Sequence, residues 1–194
     1  MKLHWSPRSP FVRKVMIAAH ELGVAERIET VRTVVGMEQV NQGLLVDNPL
    51  NKIPTLVLDD GRAIYDSLVI CEYLDAMAGG ALFAGDRWEV LTRHALANGL
   101  LDLLILFRHE RTRQAPAEEV LAAFMAKTHS ALGALQVPPA GRVDIGDITL
   151  GVALAYLDFR FGDIGWRGAR PDLATWHATF CERPSMTATT AVDG

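Results

Sequence analysis

The pattern of the chain changes once, near Asp86, and that change restricts it to few architectures. Before it, short β-branched runs alternate with helix-length amphipathic runs; after it, every periodic segment is helical. The opening MKLHW has the composition of a short strand. FVRKVMIAAHELG then places Val12, Val15, Met16 and Ala19 on one helical face, with Gly23 positioned to end the helix. RIETVRTV returns to strand composition. TLVLDDGRAIYD reads as two short strands around Asp60-Gly61, a strong hairpin signal. SLVICEYLDAMAG is a helix with Leu68, Ile70, Cys71 and Leu74 inward, stopped at Gly79-Gly80. The order β-α-β, an irregular stretch, then β-β-α predicts one small α/β domain over residues 1–80. ALFAGDR is the natural linker. Residues 86–194 predict an all-helical domain, with DITLGVALAYLDFRFG, apolar along its middle, at its buried centre.

Composition narrows the function. Of 194 residues, 49% are apolar and 22% charged, the balance of an ordinary soluble protein, and a net charge of −4 gives no footprint for nucleic acid or an anionic membrane. The longest apolar run, Leu100 to Phe107, is broken by Asp102 and falls short of the ~18 residues of a membrane span. The N-terminus has no signal-peptide pattern. Cys71 and Cys181 lie far apart, and the six histidines are scattered. No disulfide framework or metal site is expected, and a reducing, cytoplasmic setting is.

Ser9-Pro10-Phe11-Val12-Arg13-Lys14-Val15 resembles the Cys-Pro-Phe/Tyr-Cys-x-Lys-Val signature of the thioredoxin-like glutaredoxins, with both cysteines absent. Dithiol exchange is therefore excluded. A hydroxyl remains at a helix N-terminus, where unpaired N–H groups and the positive dipole end favour an anion. Such a hydroxyl serves as a helix cap, or donates a hydrogen bond to a thiolate brought by a ligand. One charge-assisted hydrogen bond, roughly 1.5–3 kcal/mol, is enough to lower a thiol pKa by about one to two units.

The stretch NPLNKIPTLVLDDGRAIYDSLVICEYLD resembles the glutathione-binding half of the glutathione S-transferase family, through Asn48-Pro49, Lys52-Ile53-Pro54, the Asp60-Gly61 turn, Asp66-Ser67 and the ICEYLD helix. GDITLGVALAYLDFR and RPDLATWHATFCERPSM are similar to its central and final helices. The family opens the central helix with Ser/Thr-x-x-Asp; here Asp144-Ile145-Gly146-Asp147 stands instead, a structural cap of equal quality. The resemblance implies a thioredoxin-like domain followed by a helical bundle domain, a cis Ile53–Pro54 peptide and a homodimer. It implies that Ile53 pairs with the cysteinyl unit of glutathione, that Ser67 takes the γ-glutamyl carboxylate and Asp66 its ammonium, and that Lys52 reaches the glycyl carboxylate.

It further implies that Ser9 supports the thiolate, although Ser6 lies in the same loop. Conjugation to a small electrophile, of the kind used in detoxification, follows, with glutathione as co-substrate and no prosthetic group. The electrophile's pocket is expected beside Phe11, Leu103, Phe107 and Arg108, with Leu103 and Phe107 at i,i+4 spacing equally suited to a core. Trp5 shapes that pocket or packs. A binding or regulatory protein that keeps the fold without turnover is the rival reading. Glutathione-dependent disulfide reduction would want a cysteine at position 9. Cys71, Trp176 and His177 are read as packing residues, and Cys181 as non-catalytic.

Overall fold

The computed structural model describes residues 1–193. They form two compact units: Met1–Ala84 together with the chain from Arg183 onward, and Gly85–Glu182. In the first unit, β1 (Lys2–Trp5), α1 (Pro10–Glu21) and β2 (Glu29–Arg32) are followed by a short helix, α2 (Gln42–Leu45). Then come β3 (Thr55–Val57), β4 (Ala63–Ile64) and α3 (Ser67–Ala78). The sheet order is β2-β1-β3-β4. β1 and β2 are parallel, as a strand-helix-strand crossover requires, while β3 is antiparallel to β1 and β4 to β3. The pairs Leu3↔Leu56 and Leu56↔Ile64 set the register, and Leu3 and Leu56 are fully buried. This is the thioredoxin-like α/β arrangement expected from the sequence.

The turns and caps have local causes. Asp60-Gly61 makes the hairpin turn: Gly61 sits at φ +87°, and the Asp60 carboxylate accepts the Arg62 N–H at 3.0 Å. α1 starts on the Ser9 cap with Pro10 at its first position, and α3 starts on Asp66. α1 and α3 pack together over Val12, Val15, Ile17, Ile70, Cys71 and Leu74. Two details depart from expectation. Lys14 is fully buried on α1, its ammonium 5.8 Å from the Phe11 ring centroid, whereas Met16 is only half-buried. α2, absent from the sequence reading, is capped by Asn41, and Asp47 just beyond it meets His4 of β1 at 2.8 Å.

The expected boundary of the helical domain also shifts. It ends at Glu182, because the segment from Arg183, with α9 (Pro184–Ala188), packs on α1 of the first unit. Ser185 and Met186 are buried there. Arg183 grips Glu21 through two hydrogen bonds of 2.9 and 2.6 Å, the Ser185 hydroxyl donates to the same carboxylate, and Arg13 donates to the Met186 carbonyl at 3.2 Å. The Arg183 hydrogen bond holds the Glu21 carboxyl below its ordinary 4.5, against the opposing effect of burial. A depressed carboxylate contributes stability above its unfolded pKa and loses it as pH falls through the folded value. Amide protection of Met186–Thr190 is therefore expected to drop as the pH falls below about 4.5, and Glu21→Gln to remove that dependence. Hydrogen exchange across the acid range reads this directly; a wild-type profile as flat as the variant's overturns it.

The second unit contains α4 (Arg87–Arg111), α5 (Glu118–Ala134), α6 (Ile145–Arg160), α7 (Trp166–Ala169) and α8 (Pro171–Cys181). α6 is its centre, buried without interruption from Ile145 to Leu154, and α4 lies along it. Phe107 of α4 stacks on Phe124 at 5.6 Å and meets Phe161 at 5.2 Å. Where α6 meets α8, a Cβ on Gly151 would come within 2.4 Å of Phe180, so only glycine fits. α4 is long and apolar enough to cross a membrane by length and composition alone. Its apolar residues Ala97, Leu100, Leu101 and Leu104 are instead buried within the unit.

α6 opens on a capping box: Asp144 accepts the Asp147 N–H at 3.1 Å, and Asp147 accepts the Asp144 N–H at 3.2 Å. Arg93 of α4 donates to both carboxylates, to Asp147 at 2.5 Å. The sequence reading made the two aspartates structural, and the arginine is the partner that it lacked.

Candidate functional site

Sheet register assembles the site. Because β1 and β4 both run antiparallel to β3, the end of β1, the start of β3 and the end of β4 share one end of the sheet. The Trp5–Ser9 loop therefore lies beside Lys52-Ile53-Pro54, and Asp66-Ser67 lies on its far side. With neighbouring strands about 4.8 Å apart, the three segments span roughly 10 Å, the reach of an extended tripeptide.

At the first position, the Ser9 oxygen accepts the Val12 N–H at 3.3 Å. Its own proton has no acceptor among the described residues and stands at the positive end of a helix of 12 residues. Ser6 is differently engaged: its oxygen accepts from the Arg32 guanidinium at 3.2 Å. At the second position, the Ile53–Pro54 peptide is cis. Neither the N–H nor the C=O of Ile53 has a hydrogen-bond partner among the described residues, so the backbone offers a free strand edge.

Asn48, buried to 1% exposure, shapes this bend. Its amide donates to the Lys52 carbonyl at 3.1 Å and the Thr55 hydroxyl at 2.9 Å. Its position in the Asn48-Pro49 pair was legible in the sequence, but its positioning role was not. The Lys52 side chain is exposed and in no ion pair among the described residues.

At the third position, Asp66 uses one carboxylate oxygen to cap α3, accepting the Leu68 N–H at 3.0 Å, and leaves the other unpartnered among the described residues. Ser67, 3% exposed, has neither its N–H nor its hydroxyl hydrogen-bonded among them. A carboxylate acceptor for an ammonium thus stands beside two donors for a carboxylate. The peptide between Tyr65 and Asp66 is also cis, a feature that sequence reasoning missed.

The residues expected to line the second-substrate pocket fall in different settings. Phe11 is half-buried in the first unit. In the second, Leu103 is half-buried, Phe107 lies in the aromatic core at 1% exposure and Arg108 is exposed. Of the neighbouring cations, Arg111 is held by Asp163 at 2.9 Å and Arg113 by Glu110 at 3.0 Å, which leaves Arg108 without an ion pair among the described residues. Cys71 is buried in the first unit, and burial pushes its thiol up to about 12, which makes it inert. No group of three or more metal-ligating side chains occurs among the described residues.

Comparison with known proteins agrees with this geometry. Residues 8–77 match the glutathione S-transferase N-terminal domain and residues 118–179 its C-terminal domain. The chain is 30% identical to the Uncharacterized GST-like protein YibF of Escherichia coli K12, over 97% of this chain and 98% of that one. A glutathione transferase family member from Pseudomonas fluorescens Pf-5, solved with bound glutathione, superposes with a TM-score of 0.93 at 39% identity, covering 99% of each chain. A second structure from that organism, solved with bound S-(propanoic acid)-glutathione, gives a TM-score of 0.88 at 38% identity over the full length of both chains. With both halves matched in order and a relative of this identity end to end, the chain belongs to the glutathione S-transferase family.

Proposed function

We propose that the protein is a glutathione transferase that binds glutathione along Ser9, Lys52-Ile53-Pro54 and Asp66-Ser67, ionises its thiol and conjugates it to a small electrophile. The observation that carries this reading is the lateral order of the three segments. An anion-favouring hydroxyl at one side, an open backbone edge in the middle and a paired acceptor and donor at the other follow the chemistry of glutathione from thiol to γ-glutamyl end. The structures of relatives with glutathione or its S-propanoic acid derivative bound support the choice of ligand.

In this mechanism Ser67 N–H and hydroxyl receive the γ-glutamyl carboxylate, and Asp66 receives the adjacent ammonium. The Ile53 N–H and C=O pair with the cysteinyl backbone, and Lys52 meets the glycyl carboxylate. The sulfur is then held beside Ser9. The hydroxyl proton and the end of α1 stabilise the thiolate, whose attack forms a carbon–sulfur bond while the electrophile's electron pair leaves or takes up a proton. Proximity and a preformed anion site are the protein's contribution; no bond to the protein is made.

The test is calorimetric titration with glutathione, followed by the near-ultraviolet absorbance of the bound thiolate against pH. The expected result is binding with the thiol pKa lowered by about one to two units. The same samples should have the mass of a dimer by light scattering. Binding without ionisation would move the protein to the binding-protein reading, and no binding would remove glutathione altogether.

A further inference from the structure

Given the transferase reading, on which this rests, we propose that His4 is a positioning residue for glutathione: by clasping Asp47 it fixes the stretch from Asn48 to Ile53. That stretch presents the Lys52 side chain and the Ile53 backbone. His4 stands inside the sheet, on β1, paired with Val31 on one side and Thr55 on the other. Its half-buried imidazole meets the Asp47 carboxylate at Nε2 and the Thr33 hydroxyl at Nδ1, each at 2.8 Å.

The stretch needs such a clasp because little apolar burial holds it. Between β2 and β3 the chain forms one helix, α2, of four residues. Leu44 is buried there, but Met37, Val40, Val46 and Leu50 are exposed, so the dominant favourable term of folding is small. Polar side chains take its place. Asn51 sits at φ +54°, a conformation that asparagine adopts more readily than most residues. Its carboxamide accepts the Asn41 N–H at 2.9 Å and donates to the Asn41 carbonyl at 2.8 Å. Asn48 accepts the Leu50 N–H at 2.9 Å, besides its bonds to Lys52 and Thr55. These contacts fasten the stretch to itself and to the start of β3. His4 fastens it to β1. The link is short, because Asp47 and Asn48 are consecutive and both donate their N–H to the Leu44 carbonyl, at 3.0 and 2.8 Å.

The clasp has a fixed polarity. A carboxylate only accepts, so Nε2 carries a proton and donates it to Asp47 in a charge-assisted hydrogen bond. The Thr33 hydroxyl can accept or donate, and satisfies Nδ1 in either role. Without Asp47, the stretch is ordered in only a fraction of the free molecules, and the apparent Kd for glutathione rises by the inverse of that fraction. One charge-assisted hydrogen bond shifts such an equilibrium by about tenfold or more.

Calorimetric titration of the full chain with glutathione tests this on wild type, Asp47→Ala and Asp47→Asn. Asp47→Ala should raise Kd about tenfold at unchanged stoichiometry, and leave the pKa of the bound thiol at its wild-type value, because Ser9 is untouched. Asp47→Asn keeps an acceptor for the Nε2 proton and should recover most of the affinity. His4→Ala should match Asp47→Ala, and the double variant should bind no more weakly than either single one. Amide exchange over residues 48–52 should be faster in free Asp47→Ala than in wild type, and slow again with glutathione. A general loss of folded protein would instead lower the stoichiometry and leave Kd where it was. Where His4→Ala lowers the melting temperature, the two Asp47 variants decide. The proposal is overturned, with the transferase reading intact, if Asp47→Ala binds glutathione like wild type, if only its stoichiometry falls, or if Asp47→Asn is as weak as Asp47→Ala. Wild type that binds no glutathione overturns both.

Discussion

Replacing Ser9 by alanine should leave glutathione bound and return about one to two pKa units of its thiol. In the proposed binding mode affinity rests mainly on Ile53, Asp66 and Ser67, which the substitution does not touch. What is lost is the hydroxyl proton, which has no acceptor among the described residues while the Ser9 oxygen accepts the Val12 N–H at 3.3 Å. Conjugation at neutral pH should fall by about 10- to 100-fold, with the loss recovered as pH is raised and solution ionisation replaces the missing donor. The helix end persists, so some activation remains. Loss of the cap costs about 1 kcal/mol of stability, too little to unfold an ordinary domain. Ser6→Ala is the matched comparison: Arg32 and the Arg8 N–H occupy its oxygen at 3.2 and 3.5 Å, and it should change the thiol pKa little. A large effect at Ser6 with none at Ser9 would reassign the thiolate support.

The second large effect concerns stability. Arg93 is 22% exposed and serves two half-hidden carboxylates at once, Asp144 at 14% and Asp147 at 8%. Burial and then the neighbouring Asp144 charge push the Asp147 carboxyl above its ordinary 3.8, with the capping hydrogen bond and Arg93 opposing them. For Arg93 itself, burial favours the neutral form, but the hydrogen bonds and charges of the two aspartates outweigh it and raise its pKa. Arg93→Met keeps the stem that packs on α6 and removes the charge. Two carboxylates then face each other at the mouth of the central helix, at a cost of about 3–5 kcal/mol near neutral pH.

The pH dependence gives the mechanism away. With no guanidinium, the folded-state pKa of Asp147 rises further above the unfolded value. A raised carboxyl pKa favours folding at low pH, and that gain is lost as pH rises through the folded value. The deficit of the variant against wild type should therefore shrink as pH is lowered toward the ordinary aspartate range, as denaturant unfolding at two pH values would show. A deficit independent of pH would mean that packing, and not charge, was lost.

What was legible in the sequence had a local cause. Gly61 marked the hairpin, and Ser9 and Asp66 marked the starts of α1 and α3, each through the backbone preference of one or two residues, while the cis Ile53–Pro54 bend came from the family resemblance. What escaped required partners distant in sequence. Lys14 is fully buried on α1, and no pattern in FVRKVM distinguishes it from a solvent-facing lysine. Arg93 reaches Asp147 across 54 positions. The site lies between these cases. Its three segments could be named one by one, but their order across the sheet depends on β3 pairing with β1 at Leu3↔Leu56 and with β4 at Leu56↔Ile64. A slip of one residue in either pairing would turn the strand over and separate the segments.

The returning tail has a consequence for synthesis. Since α9 packs on α1, the first unit is discontinuous, with all of Gly85–Glu182 threaded between its two parts. A ribosome would release the sheet, α1 and α3 early but leave the outer side of α1 bare until Arg183 and Met186 had emerged. A chain cut at Glu182 should accordingly be a poorer protein than a separable two-domain architecture suggests: the damage would fall on the helix that carries Ser9, at the far end of the sequence from the cut.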